Sequence, residues 1–305
     1  MITQMLIRKT TLTIVLTGAL VALPATIATA AKAPAPLKIL VSNDDGVKGE
    51  GMSALVKALR KEAKVTLTVV APATNQTGTG GKTTPGALTV QKTTTLGGFP
   101  ALAVNGFPAD SVNYALDNVL TGKKKPDLVI AGINFGANIG PFVPLSGTVG
   151  AARAGAAHGV ASLATSQGLA SPMGWAAGVK ETIAWLRANR SKLKKGSVWN
   201  LNIPSCNTGK VRGTVTVKST SSTFYAFDAF GTVDCSVKSK PLTNDVTAYF
   251  AGFAPLVNIG RESDRNRACA AARCAAAAPR APVHLPLLAP REALIVGLKS
   301  SAYDR

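Results

Sequence analysis

A chain of 305 residues with 46% hydrophobic content has enough apolar surface for a real core, as one large domain or two small ones. Its 34 Lys and Arg against 15 Asp and Glu leave a formal charge of +19, a field that attracts phosphorylated substrates, nucleic acid or acidic surfaces. Aromatic content of 5% is too low for the stacking platforms of single-strand binders, and two histidines without a close pair of cysteine doublets leave no tetrahedral zinc site.

The chain opens on MITQMLIRKT, basic and free of acids, followed by the apolar stretch TLTIVLTGALVAL and by Ala28-Thr29-Ala30, small residues where a signal peptidase cuts. Residues 1–30 therefore read as an export signal, and the remaining chain as a periplasmic or extracellular protein. No later stretch is long and uncharged enough to span a membrane. From 37 to 205 strand and helix signals alternate. LKILVS (37–42) is a strand, GMSALVKALRKEA (51–63) an amphipathic helix and VTLTVVAP (65–72) a second strand. PDLVIAGIN (126–134), VASLAT (160–165) and VWNLNIP (198–204) are further strands, with helices predicted over 147–159 and 171–189. Continuous apolar strands separated by helices predict a Rossmann-like three-layer α/β fold, 31–205, whose mostly parallel sheet binds ligands at its carboxyl end.

Residues 206–260 alternate differently and predict a smaller antiparallel β-rich extension. Residues 261–305 form an Ala, Arg and Pro-rich tail whose composition suits disorder. Cys206, Cys235, Cys269 and Cys274 permit three pairings, and the sequence does not choose among them. The basic runs Lys123-Lys124-Lys125 and RSKLKKG (190–196) read as solvated loops or helix ends, so no specific nucleic-acid recognition is expected.

Three stretches fall at the carboxyl end of the predicted sheet. In SNDDG (42–46), Asp44 and Asp45 follow the first strand directly. Adjacent carboxylates repel unless a cation neutralises them, which suits a hard divalent metal with oxygen ligands; the same residues also suit a turn or helix cap. The second, PATNQTGTGG (72–81), offers glycines for close approach and hydroxyls as neutral ligands. The third, AGINFGANIGPFVPLSGTVG (131–150), places Asn134 at a strand end, Asn138 in a glycine-rich loop, and Ser146, Gly147 and Thr148 at a helix start that favours anions.

ILVSNDDGVKGEGMSALVKAL (39–59), VVAPATNQTGTGG (69–81), VNGFPADSVNYAL (104–116), PDLVIAGINFGANIG (126–140), SGTVGAARAG (146–155) and LNIP (201–204) resemble, in order and spacing, the SurE family of survival-protein nucleotidases. DVTAYFAGFAPLVNI (245–259) looks like its last recognisable strand. The resemblance implies a phosphomonoesterase acting on nucleoside 5′- and 3′-monophosphates with one divalent metal ion, Mg²⁺ or Mn²⁺. By position it makes Asp44 and Asp45 catalytic metal ligands together with Asn134 and Thr77, a threonine where the family usually has serine. Asn138, Ser146, Gly147 and Thr148 become the phosphate cradle, and a homodimer or homotetramer is expected. VKGEG (47–51) departs from the family's small-Pro-Gly turn, and the tail after Ile259 departs altogether. The alternative reading is a non-catalytic exported protein that binds phosphorylated or nucleotide ligands through the same cradle.

Overall fold

The computed structural model describes residues 35–221, 231–237 and 242–260. The leader over 1–30, the tail over 261–305 and STFYAFDAF (222–230) lie outside the described residues, and so do Cys269, Cys274 and His284. β1 (Leu37–Ser42) is buried along almost its whole length, as a central strand covered on both faces must be. It leads to α1 (Glu50–Leu59), where Met52, Leu55, Val56 and Leu59 recur at helical spacing and face the core. β2 (Val65–Pro72) returns parallel to β1.

The chain then adds β3 (Val90–Thr94) and β4 (Pro100–Val104), an antiparallel pair whose second strand lies parallel to β2. α2 (Pro108–Tyr114) and β5 (Leu128–Phe135) follow, and β5 crosses back to the other side of β1. α3 (Gly147–Ala157), β6 (Ala161–Gln167), α4 (Ala176–Asn189) and β7 (Val198–Ile203) continue the parallel sheet outward. α4 starts five residues later than its sequence pattern, behind Pro172 and with Trp175 at the cap position.

The extension, expected as antiparallel, divides its strands between two sheets and pairs them mostly in parallel. β8 (Cys206–Thr208) and β10 (Val233–Asp234) form a two-stranded parallel ladder, while β9 (Thr214–Thr216) and β11 (Ala254–Asn258) join the main sheet beyond β7. β11 is antiparallel to β7, so the nine-stranded order is β3-β4-β2-β1-β5-β6-β7-β11-β9. Within DVTAYFAGFAPLVNI, expected as the last strand, APLVN is β11, whereas DVTAYF is instead α5 (Asp245–Phe250). Asn244 caps it by accepting from the Thr247 N–H at 2.9 Å, while the Thr247 hydroxyl accepts from the Asn244 N–H at 3.1 Å.

α1 and α4 pack on one face of the sheet with Ile39, Leu128, Leu163 and Leu201 beneath them. α2 and α3 cover the other face over Leu40, Val129 and Ala164, completing three layers. A third cluster gathers Ala137, Ile139, Val233, Val246 and Tyr249 around the Cys206–Cys235 disulfide, whose closure of a 29-residue span is worth roughly 3–4 kcal/mol. Strand order reverses direction between β1 and β5, a topological switch point where a crevice opens outside the carboxyl ends of the strands.

Candidate active site

Every loop at that switch point carries residues singled out from the sequence. Directly after β1, Asn43 is fully buried and its Nδ2 donates to the Gly46 carbonyl at 2.9 Å, shaping the turn. Gly46 holds φ +92, in the left-handed region, with the Thr74 backbone against it where a side chain would go. Asn43 therefore takes the turn role, and Asp44 and Asp45 are left for other work. Asp44 is only 2% exposed; Thr148 Oγ1 donates to its Oδ1, and its carbonyl accepts from the Gln76 N–H at 2.7 Å. Asp45 Oδ2 accepts from the Phe135 N–H at 3.2 Å, tying the acids to the end of β5.

Burial is the main force on both carboxyls and pushes both toward their neutral forms. The Asp44 carboxyl is raised despite the opposing Thr148 hydrogen bond. That of Asp45 is pushed up to about 7 by burial and then by the neighbouring Asp44 charge, against the Phe135 N–H. No lysine or arginine is recorded among the partners of either acid in the described residues. A cation beside such a pair would favour its charged forms.

Asn134 sits beside them at the end of β5, 6% exposed. Its Nδ2 donates to the Gly136 carbonyl at 2.7 Å, and its buried Oδ1 has no hydrogen-bond partner. An amide oxygen left unpaired in the interior is costly, and it is one that a cation would satisfy. Thr77 stands exposed one residue beyond Gln76, so the loop that carries it is pinned over Asp44. The same loop is anchored at its far side by the Gly80 N–H on the Leu145 carbonyl, 2.9 Å, and Gly150 of α3 has no Cβ to strike Gly80.

At the start of α3, Ser146 Oγ accepts from the Val149 N–H at 3.1 Å, so the serine is a helix cap. Its hydroxyl proton is not used by that bond. A Cβ at Gly147 would lie 2.8 Å from the Asp44 Cβ and 3.0 Å from Pro108, so glycine lets the helix end approach the acid. The Thr148 side chain is directed at Asp44, leaving its backbone N–H for an anion.

Asn138 belongs to a buried amide network that sequence reading missed. Its N–H donates to Asn202 Oδ1 (2.7 Å), its Nδ2 to Ser166 Oγ (2.9 Å), and its carbonyl accepts from Asn200 and Asn202 (2.9 and 3.2 Å). Asp245 completes the support by accepting from the Gly140 N–H at 2.9 Å. The signal for this network was the alternation in VWNLNI, which puts Asn200 and Asn202 on one face of β7. His158 stands at the other end of α3, some 16–18 Å from Ser146 by helical rise, against Asn113 Oδ1 at 3.2 Å.

Several known proteins resemble this chain. The family model described as survival protein SurE matches residues 39–225. The 5′-nucleotidase SurE of Prochlorococcus marinus subsp. pastoris is 41% identical over 185 residues, covering 58% of this chain and 66% of its own length. That of Leptospira biflexa serovar Patoc is 37% identical over 189 residues, covering 59% and 69%. The chain thus spans about two thirds of the length of these relatives. The crystal structure of the SurE protein from Aquifex aeolicus superposes with a TM-score of 0.60 at 23% identity, covering 77% of this chain and 99% of that one, a likeness of fold. With more than half of its residues inside the family model, the chain belongs to the SurE family.

Proposed function

We propose that the protein is a divalent-metal-dependent phosphomonoesterase that hydrolyses nucleoside 5′- and 3′-monophosphates. The observation that carries the reading is the pair of a buried Asp44 and a half-buried Asp45 at the switch point, beside an unpartnered Asn134 Oδ1 and facing the first turn of α3. The relatives named 5′-nucleotidase support the substrate class. A pure anion-binding site would gain nothing from two carboxylates.

The residues present fit a hard cation: two carboxylates and an orphaned amide oxygen are an all-oxygen donor set. Asp44, Asp45 and Asn134 would hold it, with the Thr77 hydroxyl on the adjoining loop as a fourth donor. Mg²⁺ or Mn²⁺ bound there supplies Lewis acidity to a phosphoryl oxygen and to the attacking water. The protein's own groups do the rest. Thr148 orients Asp44 through its hydroxyl, and the Gly147 and Thr148 N–H groups with the Ser146 hydroxyl bind phosphoryl oxygens as charge shifts during transfer. Asn138, fixed on both sides of its backbone by Asn200 and Asn202, holds the rim of the phosphate site. Protein nucleophiles are not required by this arrangement.

The Cys206–Cys235 disulfide supports an oxidising compartment, in keeping with the leader read over 1–30. Release of phosphate from nucleotides outside the cytosol suits scavenging. The test is phosphate release from a panel of nucleoside monophosphates and an aryl phosphate, in chelator and after Mg²⁺ or Mn²⁺ is restored. Turnover that stops with chelator and returns with metal supports the reading. Saturable nucleotide binding by folded protein without turnover under either metal would overturn it in favour of a binding protein.

A further inference from the structure

At the opposite end of the sheet from Asp44 and Asp45, the loops that follow the helices come together where β1, β2, β5, β6 and β7 begin. The Leu37 N–H donates to the Lys64 carbonyl at 2.8 Å, Lys38 Nζ to the Lys123 carbonyl at 2.6 Å, and Lys125 Nζ to the His158 carbonyl at 2.8 Å. The Arg190 guanidinium spans the Ala63 and Lys64 carbonyls at 3.2 Å each. Two basic runs far apart in the chain, Lys123-Lys124-Lys125 and RSKLKKG, thereby border one cavity of about 410 Å³, with Lys125, Arg190 and Lys195 in its wall.

Little acid offsets these cations. Glu62 is taken by Arg187 at 2.7 and 3.0 Å, and Asp127 accepts from the Lys38 N–H at 2.8 Å. Lys61, Lys64, Lys123, Lys124, Lys192 and Lys194 are exposed. Among the described residues the exposed large apolar side chains are Leu96, Phe135, Leu145 and Val237, none of which lines the basic cavity. Pro36 enters β1 at this same face.

We propose that this face docks the domain on the acidic phospholipid headgroups of a bilayer, leaving the Asp44–Asp45 end turned toward bulk solvent. Exposed lysines near an anionic membrane act as point charges, each strengthening attachment about fivefold within a Debye length of the surface. A bilayer asks only for net positive charge on one side of the domain, which these loops supply. Nucleic acid is the poorer match, because the basic runs present only a single 3₁₀ turn at Gly122–Lys124, no α-helix or ribbon for a groove, and no aromatic for stacking.

The test is cosedimentation of the purified protein with phosphatidylcholine vesicles, with and without phosphatidylglycerol, at low and high salt. The folded variant K123Q/K124Q/K192Q/K194Q, checked by circular dichroism and thermal melting, is run alongside, and duplex DNA is titrated as a competitor. The expected result is attachment only to phosphatidylglycerol vesicles, released by salt and weakened several hundred-fold in the variant. Phosphate release by the variant should be unchanged, since the four lysines lie at the far end of the sheet. Equal attachment to neutral vesicles, undiminished attachment of the folded variant, or tighter binding to duplex DNA than to the acidic vesicles would each overturn the proposal.

Discussion

At the carboxyl end of β1 a buried and a half-buried carboxylate are driven toward neutrality by desolvation, whereas at the amino end lysines from several loops stand in water and need no compensation. The difference lies in how each end is built. Asp44, Asp45, Asn134 and Thr148 are fixed by strand ends and a helix start, so their positions are set within a hydrogen bond. The basic loops follow helix ends and only have to share a side of the sheet. Buried charge at one end demands a specific partner, and exposed charge at the other supplies a field. Catalysis needs the first kind of construction and surface attachment only the second.

The largest effect should come from removing charge at the buried end. Asp44→Asn and Asp45→Asn should each lower kcat by about 10³-fold or more, since each removes one of two carboxylates from the cation site. Melting temperature should hold or rise, because a desolvated, mutually repelling pair has been relieved. A variant with near-normal kcat would move the chemistry elsewhere. Next in size is Thr148→Val, which leaves Asp44 in place but takes away its hydroxyl donor. Loss of such a supporting bond should lower metal affinity or activity about 10- to 100-fold, and metal titration of the phosphate-release rate measures it. An unchanged metal midpoint and rate would show that Asp44 needs no orientation by Thr148.

A smaller effect distinguishes the extension from both ends. The double change Cys206→Ser and Cys235→Ser should cost about 3 kcal/mol of stability in denaturant titration, with kcat kept within about twofold. The disulfide sits in the cluster around Tyr249, and the acids are held by β1, β5 and α3. Loss of activity equal to that of Asp44→Asn would instead join the extension to the chemistry.

The parallel sheet was legible because β1 and β5 are mostly apolar along their length, and α1 repeats Met52, Leu55, Val56 and Leu59 at helical spacing. The β3–β4 pair escaped the pattern, since VQKTT is an edge strand with mostly exposed side chains. DVTAYF reads as strand by its β-branched and aromatic residues, but the reciprocal Asn244–Thr247 cap and the burial of Val246 and Tyr249 on one side make it a helix. In the site, Asp44, Asp45 and Asn134 were legible as polar residues ending apolar strands. The direction of Thr148 toward Asp44 was not, because two residues 104 apart in sequence meet only through the sheet. The gathering of the basic runs was hidden for the same reason: helices of different lengths separate them in the chain, and parallel topology returns their ends to one side.

The subtlest test of the contrast between the two ends is its pH dependence. An acid whose folded pKa is raised binds its proton more tightly in the folded state than in the unfolded one. The stability it contributes is complete below the ordinary carboxylate range and is lost as pH rises through the folded value, about 7 for Asp45. In chelator, the melting temperature should therefore fall between about pH 5 and pH 8. A cation shared by Asp44 and Asp45 favours their charged forms, so Mg²⁺ or Mn²⁺ should raise the melting temperature more at the higher pH than at the lower. Asp45→Asn should flatten both trends, while K123Q/K124Q/K192Q/K194Q should leave them alone, because its lysines are exposed and lie at the far end of the sheet from the pair. A metal effect that is equal at both pH values, or one that survives in Asp45→Asn, would place the cation away from the pair and leave the desolvated acids as a feature of the turn alone.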